Sequence, residues 1–419
     1  MERASVTKSN YQAILFPILD VLLNGGNLLI HLYISWYLTT GDYGILNAFS
    51  SLLFVLMIFG MSMQTYIAKR VSSSTFNHKE VKNMYEVTKG LIVIVCTVMV
   101  LLTGPMTQLL RGTYIQYGLI LLTFVVQSRL SFLRGMLQGN KAFIQLNASF
   151  YFEMIGKLTV LIPLIRIYKS IELALFSILV GMVVSYITTR IPANKYIKKE
   201  LEMTQSYTHS NTHSIENTVG GIRKTVKGFL KVFSTQIYFY YFTAVVLILT
   251  NYFMGEASGL YAVSTRYGQI FIHIGLSIIT VLIPYTSSTI EDMKTYKRKV
   301  GKLLLLYSGI GLVVLMAYVV IMPLALKWFF GPSYQGAEPL LIPQAVAYYV
   351  LSIAFYMASM EMVSGKKEYI LTLTIFSVLL LIALLTWHTT LLQIVYVEGS
   401  VYTLMALVLI IRFFTRKEH

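Results

Sequence analysis

The chain has 419 residues, 56% of them hydrophobic and only 12% charged, with a mean hydropathy of +0.67 and a formal net charge of +16. A soluble protein carries about 25% charged residues, so the composition excludes an ordinary cytosolic enzyme, a secreted disulfide scaffold and a disordered chain. The single cysteine, Cys96, excludes an internal disulfide and a Cys-rich metal site, and the positive charge fits either nucleic-acid binding or the basic cytoplasmic loops of a membrane protein.

A helix needs about 20 apolar residues to cross a bilayer. Twelve such helices are predicted, over 10–38, 44–70, 89–110, 113–137, 141–166, 170–194, 226–252, 258–285, 301–328, 338–364, 367–388 and 391–413. The polar start MERASVTKSN precedes a helix too long for a signal-peptide core, so this helix is expected to stay uncleaved. It carries Asp20, Asn24, Asn27, His31 and Ser35 at spacings that share one helical face. Such a stripe lines water or bonds to another polar helix.

Farther along, the fourth helix holds Arg129, which either lines a cavity or snorkels to headgroups, and Arg134, read as a surface anchor. The fifth holds Glu153 and Lys157 at i, i+4, placed either to line the cavity or to neutralise each other. From about Lys195 to Thr225 the chain is polar and lacks an apolar period, which reads as a flexible cytoplasmic linker. His209 and His213 within it lack the further ligands a metal site needs. The seventh helix repeats a polar stripe (Lys227, Lys231, Ser234, Tyr238, Tyr241), and the eighth places Arg266, Gln269 and His273 on one face. Glu361 lies near the cytoplasmic end of the tenth and is expected to reach water.

Orientation follows from Lys and Arg. With both termini cytoplasmic, Arg111, Arg166, Lys169 and Lys327 fall outside and Arg129, Lys157 and Arg266 remain within spans; the other 27 of the 34, those at the cytoplasmic ends of spans included, count as inside. Topology and anionic headgroups therefore account for the net charge without nucleic acid.

The two halves repeat. Gly44-Ile45 and Gly259-Leu260 open the second helix of each half, and Ser72-Ser73 and Ser287-Ser288 close it, both at an offset of 215. Pro105…Gly112-x-Tyr114 is echoed by Pro323…Gly331-x-x-Tyr334, and Gly139-Asn140-Lys141-x-Phe143 by Gly365-Lys366-Lys367-x-Tyr369. The expected organisation is a six-helix bundle over 1–200, a linker over 201–225 and a second bundle over 226–419. An even helix count makes the repeat parallel, and substrates of such transporters bind near the midplane between the halves. The expected fold is thus all-α and polytopic, two parallel six-helix bundles around a central cleft.

A charge at the bilayer centre costs about 2.5–3.5 kcal/mol on insertion scales, so it faces a cavity or a partner. With Glu153 set against Lys157 and Glu361 in water, two Arg and Asp20 remain. Arginine binds phosphate bidentately, which favours an anionic substrate, with Asp20 or His273 as a proton-sensitive group. No GxxxxGK[ST], HExxH or GxSxG motif is present and the outside loops are short, the longest around Lys327–Glu338. An enzyme is not expected.

The junctions carry a resemblance. Trp36-Tyr37-Leu38-Thr39-Thr40-Gly41-Asp42-Tyr43-Gly44, the stretch from Gly60 to Arg70, Leu137-Gln138-Gly139-Asn140-Lys141, Ala257-Ser258-Gly259-Leu260-Tyr261-Ala262 and Phe330-Gly331-Pro332-Ser333-Tyr334 resemble Wzx-type polysaccharide flippases of the multidrug/oligosaccharidyl-lipid/polysaccharide superfamily. The lipid II flippase branch usually has fourteen helices rather than twelve. The resemblance covers nearly the whole chain except the linker. It implies two six-helix bundles and alternating access. It also implies movement of an undecaprenyl-pyrophosphate-linked oligosaccharide to the outer leaflet of a bacterial cytoplasmic membrane, for O-antigen, capsule or exopolysaccharide synthesis. Polysaccharide polymerase and chain-length machinery are the implied partners.

The expected cleft residues are Arg129, Lys157 and Arg266, matched to the family's cationic cavity by depth, with Asn24, Asn27, Gln269 and Tyr238 for sugar hydroxyls. Asp20, Glu153 and His273 are the expected coupling or gating groups. No metal or organic cofactor is expected, and proton or sodium coupling stays open. The competing readings are a multidrug antiporter of the same superfamily, which needs an acidic cleft, and a membrane polymerase or scaffold.

Overall fold

The structure, a computed structural model of the chain, describes residues 23, 25–27, 29–72, 79–207, 216–287, 292–330, 332–364 and 367–415. Asp20, Asn24, His209 and His213 lie outside them. The described part of the first helix, α1, falls within 23–35. It is followed by α2 (Thr40–Val71), α3 (Lys79–Leu101), α4 (Thr103–Leu110), α5 (Tyr114–Gly139), α6 (Phe143–Tyr168), α7 (Ile171–Tyr207), α8 (Glu216–Met254), α9 (Ser258–Ser287), α10 (Met293–Phe329), α11 (Glu338–Val363), α12 (Glu368–Thr386) and α13 (Leu391–Thr415). Short 3-10 turns at Gly255–Ala257 and Pro332–Ala337 are the other regular elements, and no strand occurs among the described residues. The fold is all-α and polytopic.

Ten stretches of the described residues are long and apolar enough to cross a membrane; one of these, Gln236–Gly275, runs through the turn between α8 and α9. Exposed apolar side chains mark the faces turned to lipid. On α10 these include Leu305, Leu312, Val313, Met316, Val320 and Leu324, a density of apolar surface that a water-soluble exterior would not carry.

Helix ends depart from the hydropathy limits for local reasons. Pro105 has no N–H for the carbonyl of Leu101, and the expected third helix breaks there into α3 and α4. α7 continues to Tyr207 and α8 begins at Glu216, so helix occupies parts of the stretch read as linker. Hydropathy marks only the apolar length of a helix, whereas Lys, Glu, Leu, Met and Gln in KKELEMTQ propagate a helix in water as well. At the start of α5, Thr113 Oγ1 accepts from Gln116 N (3.3 Å) and Gln116 Oε1 from Thr113 N (3.0 Å), a reciprocal cap.

The chain divides into two compact units. The first comprises Met1–Tyr37 with Phe49–Tyr240, the second Leu38–Ala48 with Tyr241–His419. In the first, α7 packs on α5 and α6. A core of Met63, Tyr66 and Ile67 from α2, Val81, Met84 and Val87 from α3, Phe132, Leu133, Met136 and Leu137 from α5, and Phe229 from α8 closes one of its ends. In the second, α11 is central and packs on α9, α10 and α13.

Within this second unit the α2 segment lies against α9. A Cβ added at Gly259 would stand 2.0 Å from the Thr40 carbonyl oxygen, and one at Gly44 would stand 1.9 Å from Ser258 Oγ. The two glycines that open the second helix of each sequence repeat are thus the two that allow α2 and α9 to meet. Only a residue without Cβ permits this approach.

Candidate functional site

In the first unit Asn27 and Tyr33 of α1 meet α6. Lys157 donates to Asn27 Oδ1 (3.2 Å), Tyr33 Oη donates to the Ile162 carbonyl (3.1 Å), and Arg166 Nε donates to Tyr33 Oη (3.0 Å). Asn27 and Lys157 are therefore brought together, both half-buried. Glu153, one turn before Lys157, pairs instead with Arg134, whose Nη2 lies 2.8 Å from Glu153 Oε2.

Two expectations change here: Glu153 is set against Arg134 rather than Lys157, and Arg134 is not a surface anchor. From Leu130 to Leu137 every side chain of α5 is buried, so Arg134 has no open face along which to snorkel. Its guanidinium is satisfied in place by Glu153, by Ser149 Oγ (2.8 Å) and Ser185 Oγ (3.1 Å), and by the ring of Phe150 at 4.0 Å. A planar, weakly hydrated fork suits such a site better than an ammonium does.

Arg129, one and a half turns earlier on α5, is exposed and hydrogen-bonds to none of the described residues. On α8, Arg223, Lys227 and Lys231 are exposed at successive i+4 positions, and Lys224 beside them is exposed too. The opposite face, Thr225 and Phe229, is buried. Half-buried Ser234 and Tyr238 continue the ridge. Where α8 meets α2 and α3, Glu80 holds Arg70 through two guanidinium nitrogens (2.6–2.9 Å) and Lys224 at 3.4 Å.

In the second unit Arg266 is 9% exposed. Its Nε and Nη2 converge on Asn47 Oδ1 at 2.9 and 2.8 Å, and Nη1 donates to Gln269 Oε1 at 3.3 Å. Asn47 in turn donates to the Tyr43 carbonyl (2.7 Å). The rings of Tyr43, Phe330 and Tyr334 pack edge-on, and Tyr334 Oη donates to the Leu38 carbonyl (3.2 Å). Arg266 is thus buried, with donors from all three of its guanidinium nitrogens directed at neutral side chains inside the unit. Gln269 is half-buried and His273, one turn on, is exposed.

Glu361 does not reach water. It is 4% exposed and ion-paired to Arg412 of α13, which also donates to the Glu368 carbonyl (2.9 Å) and to Thr372.

The sequence reading passed over one acid. Glu398 on α13 is 0% exposed and accepts from Tyr261 Oη of α9 (2.7 Å) and from the amide of Gln344 on α11. The signal was a lone carboxylate in an apolar span. Among the described residues no group of three or more His, Cys, Asp or Glu is placed to hold a metal ion.

No family model matches the chain, and no curated protein matches its sequence. Solved structures do match its architecture. The lipid II flippase MurJ in an inward closed conformation superposes with a TM-score of 0.73 at 13% identity, covering 96% of this chain and 88% of that one. The chain shares the all-α, polytopic fold of that structure. A multidrug resistance MATE family transporter of the MOP superfamily, inward-facing, gives 0.71 at 12% identity over 96% and 98% of the two chains. A Vibrio cholerae MATE transporter gives 0.62 at 13% identity over 98% of each. These structural neighbours are transporters and a flippase rather than enzymes. In this chain Glu153, Glu361 and Glu398 are each engaged inside their own unit, whereas Arg129 and the α8 ridge are exposed.

Proposed function

We propose that the chain is a flippase of the Wzx polysaccharide type. Its substrate is an undecaprenyl-pyrophosphate-linked oligosaccharide, which it carries by alternating access across the cytoplasmic membrane of a bacterium, with both termini cytoplasmic. The observation that carries this reading is the disposition of charge: Glu153, Glu361 and Glu398 have partners inside their own units, whereas Arg129 within α5 and the cations at the start of α8 are exposed. A pyrophosphate and its sugars cannot enter lipid tails, where each unsatisfied polar group costs several kcal/mol. Exposed cations replace the water and counterions of the pyrophosphate.

In this account Arg129 and the ridge of Arg223, Lys227 and Lys231 attract the pyrophosphate, and Tyr238, Asn24, Asn27, Lys157, Gln269 and His273 offer hydrogen bonds to the glycan. Arg266 acts through Asn47, keeping the start of α2 in place. The polymerase and chain-length machinery receive the product, which serves O-antigen, capsule or exopolysaccharide synthesis. Asp20 is the proposed coupling group, taking a proton or sodium.

A second reading, export of organic cations, has the same support from fold, because MATE transporters share it as fully as the flippase does. It requires an accessible acid, a role that falls to Asp20. The deciding experiment reconstitutes the protein in liposomes with a fluorescent polyprenyl-pyrophosphate oligosaccharide and, separately, a cationic dye. Flipping of the former, weakened in the Lys227→Gln/Lys231→Gln variant, supports the flippase. Dye transport abolished by Asp20→Asn supports the alternative.

A further inference from the structure

Glu398 lies about 10 Å along α13 from its first residue. It is fully enclosed by α9, α11 and its own helix, and both of its hydrogen-bond partners, Tyr261 and Gln344, are neutral. No described cation pairs with it.

The groups facing it are few. α9 contributes Tyr261, and α11 contributes Gln344 and Tyr348. Tyr402 stands one turn along α13, with Tyr241 of α8 beyond it. Arg266 interacts electrostatically with Tyr348, but its donors are directed at Asn47 and Gln269. The titratable groups of α12, Glu368 and Tyr369, sit at its opposite end.

An isolated carboxylate in such a place costs several kcal/mol and is relieved by a cation or by a proton. Two observations choose between them. Tyr261 Oη and the Gln344 amide present hydrogens to the carboxyl, the wrong polarity for ligands of a metal ion. Beside the carboxyl, Gln344 Oε1 and Tyr348 Oη are buried oxygens without a hydrogen-bond partner. A carboxyl O–H supplies what the Tyr348 oxygen lacks.

We propose that Glu398, with Tyr261, Gln344 and Tyr348, forms a proton-binding site inside the second unit, occupied in this conformation. Binding is simple addition: a proton joins one carboxylate oxygen, and its loss leaves an enclosed anion that Arg266 could approach only by releasing Asn47. The proton state is thereby linked to the hydrogen bonds that hold the α2 segment to α9. This goes beyond the proposed cargo, because it applies equally to a lipid-linked glycan or an organic cation.

Infrared spectroscopy of the purified protein in lipid nanodiscs tests it. At neutral pH the wild type is expected to show the carbonyl stretch of a protonated carboxyl, a band that Glu153 and Glu361, being ion-paired, do not contribute. Glu398→Gln removes the band. Tyr261→Phe, which keeps the ring and deletes the donor, shifts it, and this assigns the band even if Glu398→Gln does not fold. Raising the pH abolishes it, and exchanging choline chloride for sodium chloride leaves it unchanged. Absence of the band, a band indifferent to Tyr261→Phe, or its displacement by sodium would overturn the proposal, the last in favour of a sodium site.

Discussion

Removing one partner of a buried ion pair strands a charge, which costs about 3–5 kcal/mol, whereas replacing both with apolar groups is often neutral. Arg134→Ala is therefore expected to lower thermal stability steeply in detergent, and Arg134→Leu/Glu153→Leu to restore most of it. The comparison is read from melting curves of the purified variants. Arg129, exposed and without such a partner, behaves oppositely: Arg129→Gln keeps the melting temperature and slows transport. Arg266→Ala leaves Asn47 Oδ1 without its two donors and costs about 1–3 kcal/mol; a double-mutant cycle with Asn47→Ala checks the coupling. At this scale the sequence disclosed the depth of each embedded charge but not its partner. Depth is a property of position along one helix. Partnership depends on the rotation of two helices, and Glu153 meets Arg134 of α5 rather than Lys157 one turn away on its own helix. Glu398 escaped notice because its partners, a Tyr and a Gln on two distant helices, carry no charge pattern.

Helices α2 and α9 meet through Gly44 and Gly259, and backbone on the far side cannot yield as a side chain can. Gly259→Ala would set a methyl 2.0 Å from the Thr40 carbonyl oxygen, so it is expected to displace the α2 segment and reduce both folding yield and transport. Gly309→Ala on α10, where a Cβ meets nothing within 4 Å, serves as the control and is expected to be neutral or to gain up to about 1 kcal/mol from helix propensity.

The start of α10 provides a pH test. Asp292 caps it, accepting from Lys294 N (3.1 Å) and Thr295 N (3.2 Å) and from the Thr295 hydroxyl. The Thr295 hydroxyl, together with these amides, holds the carboxyl below its ordinary pKa. A lowered folded-state value means the cap is complete above the unfolded carboxylate range, about pH 4, and is lost as pH falls through the folded value. Hydrogen exchange in the first turn of α10 should then accelerate on acidification in the wild type and not in Asp292→Asn, which caps without titrating. Element identity was readable throughout the described chain because long apolar runs admit little but helix in lipid. Element ends were not, since polar helix formers extend α7 and α8 past the hydropathy signal, and Pro105 divides one expected helix in two.

For the molecule as a whole, apolar runs, a low charged fraction and repeated junction motifs pointed to an all-α, polytopic fold, and the MurJ and MATE structures it resembles have the same architecture. Cargo is a finer matter, since both classes share the fold and only the placement of charge distinguishes them. The loss of two ridge cations, Lys227 and Lys231, is expected to raise the half-saturating concentration of a pyrophosphate substrate about tenfold, roughly 1.4 kcal/mol. Addition of salt to the wild type should weaken the same interaction. The measurement that bears most directly on the central claim is leaflet-to-leaflet movement of a polyprenyl-pyrophosphate oligosaccharide in liposomes holding the purified wild-type protein, run beside a cationic dye. The account predicts that the glycolipid crosses and the dye does not; a dye that crosses while the glycolipid stays in its leaflet would contradict it.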